Sequence, residues 1–210
     1  MRQVLEDLGE KLFGGFGLED GLSESAVVAG EKRLGVSLPP TIREFLKLVG
    51  NHPVVMTAHA RLLRPHEMYV LNGALVFAEE NQSVMFWAFM LGDQGSDAPP
   101  VWQGNSSETK WHLDAELLSS FLLGVLGWQA AFGLPNTARA ELDEQLANDL
   151  ESRLTRCQAG RDTVVDLVTF YDRELVVSVS PAAGRALIGA TSERLLREFE
   201  ETYDTGLDWL

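Results

Sequence analysis

The spacing of apolar residues changes period once along the chain, and that change constrains the fold more than any single motif. Up to Val49 the apolar positions recur at helical intervals. Beyond Asn51 they gather into short runs rich in β-branched and aromatic residues. Helices that come first, followed by clustered strands, describe an α+β chain rather than an alternating βαβ one. Val4, Leu5, Leu8 and Leu12 predict a helix over Arg2 to Leu12, stopped by Gly14–Gly15–Phe16–Gly17. Ser23 or Ser25 opens a second helix that runs to Leu34, with Gly35 just past its end. Pro39 and Pro40 suit the first turn of a third, continuing through Ile42, Phe45, Leu46 and Val49 to Gly50–Asn51.

Ala74 to Ala78 and Val84 to Leu91 predict a hairpin, with Glu79 to Ser83 as its polar connection. Gly92 to Pro100 reads as a loop, and Val101–Trp102 as the start of a further strand. Leu113 to Phe132 returns to helical spacing, and Asn136 to Arg156, with leucines four apart, predicts a solvated helix. Val164 to Phe170 and Leu175 to Val179 form a second predicted hairpin around Tyr171 to Glu174. Ala186 to Ala190 follows as a strand, and Thr191 or Ser192 caps a last helix through Phe199 and Tyr203. No Pro/Gly/Ser linker divides these pieces. Residues 1–210 therefore read as one α+β domain, a mixed or antiparallel sheet packed against helices, with residues 133–210 extending that sheet.

Acidic residues number 31 against 17 basic ones, a net charge of −14. Such a field repels a phosphate backbone, so direct nucleic-acid binding is not expected, whereas a basic protein partner is attracted. The N-terminal stretch carries Glu6, Asp7 and Glu10 where an export signal needs an apolar run. No apolar stretch is long enough for a bilayer, so the expected location is the cytoplasm, away from membranes.

Candidate chemistry is sparse. The Gly14–Gly17 run lacks phosphate-loop spacing and follows a helix, so it reads as a turn. His52, His59 and His66 recur every seven residues, but Pro53 and Pro65 argue against one continuous helix, leaving them as surface or loop histidines. Cys157, the only cysteine, precludes an internal disulfide; with Arg153, Arg156 and Arg161 near it in sequence it reads as an ordinary reduced thiol. No nucleophile elbow is present. Glu79 and Glu80 are adjacent on a strand, so only one faces any given cleft, and a polar turn is favoured over acid–base catalysis. No enzyme activity, metal or cofactor is expected. A small hydrolase using Glu79, Glu80 or a histidine is the weaker alternative.

The pieces in order carry more than any one of them. Glu31–Lys32–Arg33–Leu34–Gly35–Val36–Ser37–Leu38–Pro39–Pro40 leads into Ile42–Arg43–Glu44–Phe45–Leu46 and Gly50–Asn51. Leu62–Leu63–Arg64–Pro65–His66–Glu67, Leu75 to Gln82, Phe86–Trp87–Ala88, Pro99 to Trp102 and Leu118 to Leu122 follow. This order resembles the E-x-x-L-G-x-x-L-P signature and its sequel in the SUKH superfamily, which includes yeast cell-wall assembly regulators and many bacterial immunity proteins. The resemblance covers residues 22–132 and departs at Gly50–Asn51, where the family has Asn-Gly. It implies an α+β binding module whose bacterial relatives neutralise a toxin, often a nuclease, by direct contact; a regulatory scaffold is the second reading it implies. The expected binding surface is acidic and comprises Glu79 and Glu80 at the hairpin turn with Asp93, Asp97 and Trp102 in and after the following loop. Phe45, Leu46, Phe77, Trp87 and Phe121 are the expected core.

Overall fold

The structure is a computed structural model and describes residues 1–93, 95–105, 110–157 and 168–210. Its first third is built as the capping chemistry dictates. Helix α1 (Arg2–Phe13) ends on Gly14 in the left-handed conformation. Helix α2 (Glu24–Leu34) starts where Ser23 Oγ accepts the Ala26 N–H at 3.2 Å, and ends on Gly35 at φ 68°. Helix α3 (Pro40–Val49) begins with proline in its first turn. Glu31 joins α2 to α3: one carboxylate oxygen accepts the Leu38 N–H at 2.8 Å and the other pairs with Arg43. Leu38 is buried beneath that link. The residues that carry the family resemblance are thus a helix–helix corner. A short helix α4 (Pro53–Thr57) follows, capped by His52 Nδ1.

The first sheet contains β1 (Ala60–Leu62), β2 (Tyr69–Leu71), β3 (Ala74–Glu80), β4 (Met85–Met90), β5 (Val101–Asn105) and β6 (His112–Ala115). Its order is β1-β3-β4-β5-β6, with β2 also on β3, and every pairing is antiparallel. Helix α5 (Leu118–Gly133) then crosses behind it. After it come β7 (Asn136–Glu141), α6 (Glu144–Arg153), β8 (Thr155–Cys157), β9 (Val168–Asp172), β10 (Leu175–Ser180), β11 (Arg185–Ala190), α7 (Glu193–Tyr203) and β12 (Asp208–Trp209). These strands make a second antiparallel sheet, ordered β12-β7-β11-β10-β9-β8, rather than an extension of the first.

The second sheet is buried on both faces. Val177, Ile188, Phe170 and Ala138 meet Leu146, Leu150, Leu196 and Phe199 of α6 and α7. Their neighbours Tyr171, Val176 and Leu187 face the other way, into the core shared with α5 and the first sheet. Alternation along each strand sends successive side chains to the two layers. Close approach of α5 to this sheet depends on glycine. An added Cβ on Gly127 would collide with Thr169, and one on Gly189 would sit 2.8 Å from the Ala131 Cα. Gln129, fully buried on α5, holds the start of the first sheet: its Oε1 accepts the His59 and Ala60 N–H groups at 2.7 and 2.9 Å, and its Nε2 donates to the Val55 and Ala60 carbonyls.

Two expected elements differ and a third is described only in part. Leu113 to Ala115 is strand, not helix, and α5 starts only at Leu118. Residues 136–141 are β7, because alternation of Ala138 and Ala140 inward buries them between two neighbouring strands. The predicted strand from Val164 has its first four residues outside the described ones. Phe45, Leu46, Phe77 and Phe121 are buried; Trp87 is only half-buried, because its side chain borders a cavity. No helix among the described residues is long and apolar enough to cross a membrane.

Candidate functional site

The five expected site residues do not form one surface. In the β3–β4 hairpin Glu79 pairs with Phe86 while Ala74 pairs with Met90, so the loop after β4 leaves from the end opposite the hairpin turn. Six residues at about 3.3 Å each separate the two ends by roughly 20 Å. Glu80 stands at the turn end and Asp93, Asp97 and Trp102 at the other. Glu79 is not available to a partner at all: it is 7% exposed, accepts from Arg61 Nη2 at 2.9 Å and from the Tyr69 hydroxyl at 2.9 Å. Burial and the Glu79 carboxylate together push the Tyr69 hydroxyl up to about 12. Glu79 and Glu80 point to opposite faces, as the strand period requires; only Glu80 reaches the inner side.

At the loop end a mixed patch forms on the outer face of the first sheet. Trp102 of β5 stands directly opposite Leu113 of β6, which places both side chains on one face. Leu113 is 38% exposed and Leu117, just beyond β6, is 44% exposed. The Leu118 N–H donates to Pro99 O at 2.9 Å, so the start of α5 lies against the end of the Gly92–Pro100 loop. The same loop is fixed on its far side by the Thr41 N–H bound to Asp97 O. Exposed Asp97 and Glu116 and half-exposed Asp93 therefore border apolar side chains on a held backbone.

The inner side of that sheet faces a cavity of about 670 Å³ between the two sheets, closed on one flank by α5. Trp87 of β4 and Phe121, Trp128 and Phe132 of α5 supply aromatic walls. Asp114 of β6 enters it by strand alternation: Leu113 faces outward opposite Trp102, so the next residue faces inward, and a bulge then sets Asp114 and Ala115 together against Val101. It is 2% exposed, and its Oδ1 has no hydrogen-bond partner. The Trp87 indole N–H, also without a partner at bonding geometry, is close enough to favour the ionised carboxylate. Burial outweighs that pull and raises Asp114 to about 6. Across the cavity Arg139 of β7 and Arg185 of β11 are exposed at its solvent end, with no ion pair shown among the described residues. Comparison with family models, with curated proteins and with solved structures found no match.

The three histidines are apart in environment. His52 packs against Phe13 and Phe16, His59 against Trp128 and Phe132 at the cavity edge, and His66 is exposed. All three lie in loop positions, as expected, but His52 and His59 are half-buried, and that burial lowers both. Cys157 is buried in β8 and Arg161 lies outside the described residues. Among the described residues no group of three or more His, Cys, Asp or Glu side chains is placed to share a metal ion.

Proposed function

We propose that this chain is a non-catalytic binding module of the cytoplasm that docks a basic partner protein on the loop end of its first sheet, as a toxin-immunity protein does. The observation that carries the reading is the outward pair of Trp102 and Leu113, continued by exposed Leu117 and bordered by Asp93, Asp97 and Glu116. An aromatic anchor with apolar neighbours and a charged rim is the composition of a binding hot spot. A net charge of −14 speeds encounter with a basic domain such as a nuclease. The SUKH-like order of residues 22–132 supports the same reading by analogy of fold.

The test is a photo-crosslinking residue placed at Leu113 in the native host, with the same residue at exposed Val28 on α2 as control. One basic protein captured from position 113 and not from position 28 supports the proposal. If that protein is a toxin silenced at equal stoichiometry, the module is an immunity protein; a partner left active makes it a scaffold. Capture from Val28 alone moves the interface to another face.

A further inference from the structure

The cavity between the sheets lies on the opposite face from the docking patch and needs an explanation of its own. Its volume, about 670 Å³, falls within the range of small-molecule sites. A carboxylate buried without a partner is costly, and natural structures retain such groups where something else satisfies them. One oxygen of the Asp114 carboxylate is such a group, turned inward by the alternation of β6. A second observation is independent of it. Gly124 lies on the cavity wall in the interior of α5, where glycine weakens a helix relative to alanine. Gly127 is required by the contact with Thr169, but a Cβ on Gly124 would meet nothing within 4 Å. The space beside Gly124 is open where a leucine-rich helix had every means to fill it.

We propose that this cavity binds an organic amine with an apolar body, its ammonium held by Asp114 and its body between Trp87, Phe121, Trp128 and Phe132. The carboxylate supplies the opposite charge in a site that water barely reaches, where a charge-assisted bond is strongest. Indole faces beside it add cation–π attraction. Arg139, Arg185 and Glu80 also line the cavity, so its charges are mixed, but among the described residues Asp114 is its one deeply buried carboxylate and takes one ammonium. With a single deep carboxylate and no cluster of three metal-binding side chains among the described residues, a metal ion is a poorer fit than an ammonium.

Isothermal titration with 2-phenylethylamine, 2-phenylethanol and 3-phenylpropionate, at a pH where Asp114 is ionised, separates charge from shape. The amine is expected to bind the wild-type protein at least about tenfold more tightly than the alcohol, and Asp114→Asn to erase that preference. Gly124→Leu is expected to abolish binding of the amine while the circular dichroism and melting temperature stay native or rise. Equal affinity of the amine for wild type and Asp114→Asn overturns the proposal. So does a carboxylate that binds most tightly, or an absence of amine binding up to about 10 mM. Because Gly124→Leu leaves Asp114 in place, the site remains testable even where the Asn variant folds poorly.

Discussion

Replacing Asp114 by Asn changes how stability depends on pH more than it changes stability at any one pH. In the unfolded chain Asp114 titrates near a free aspartate's 3.8; in the fold burial raises it to about 6. Between those values the folded state holds a proton that the unfolded state has released, so stability falls as pH rises. At about 1.36 kcal/mol per pH unit, the ionised carboxylate costs about 3 kcal/mol once the pH has passed the folded value. Asn keeps the shape and leaves its own amide imperfectly bonded, a penalty that is constant with pH. The measurement is urea unfolding of both proteins between about pH 4 and about pH 7, taking the difference at each point, so that titrations common to both largely cancel. Wild type is expected to lose about 2.4 kcal/mol relative to the Asn protein across that range, the rest of the cost falling outside it. Parallel curves would refute the reasoning, because they would mean that the carboxylate is solvated or partnered in solution.

Gln129→Leu leaves four backbone groups of Val55, His59 and Ala60 without their partner and is expected to cost at least about 3 kcal/mol by urea unfolding. Phe77→Ala, in the core against Phe89 and Phe121, is expected to cost about 3–5 kcal/mol, and Trp87→Ala clearly less because it already borders empty space; equal losses would contradict the half-burial of Trp87. Gly189→Ala pushes a methyl group against the backbone of α5 and is expected to destabilise more than Gly35→Ala, which meets only its left-handed φ, at about 1 kcal/mol. Reversing Asp93 and Asp97 to Lys is expected to slow association with the basic partner at low salt and to leave the melting temperature within a degree or two, read by stopped flow and by thermal scan.

Where local chemistry decides the backbone, the sequence was sufficient. Ser23, Gly35 and Pro40 each act within one helical turn, and the two helices they delimit fall where their residues place them. The strands β6 and β7 were hidden for a tertiary reason. Leu113 continues the apolar spacing of α5, and only pairing with Trp102 holds it extended; Ala138 and Ala140 are weak β-formers held by neighbours distant in sequence. The expected acidic surface failed on connectivity. Residues 79 and 97 are near in sequence, yet one antiparallel hairpin sends them to opposite ends. The cavity had one faint signal, two glycines in the interior of a largely apolar helix. Asp114 was hidden because its strand β6 was read as the start of a helix, so the alternation that turns it inward went unread.

Helix α5 also imposes an order on synthesis. One side of it packs on the helices and strands already made, but the other rests on β9, β10 and β11, which follow later in the chain. At about 5–20 residues per second, β11 is complete roughly 3–10 s after the last turn of α5. For those seconds the nascent chain carries an oily helix with half its surface uncovered. Gly127, which later permits close seating, and Gly124 meanwhile weaken the helix as it waits. The chain is thus a natural client for a ribosome-associated chaperone, and a message truncated after residue 133 leaves a product fated for aggregation or degradation.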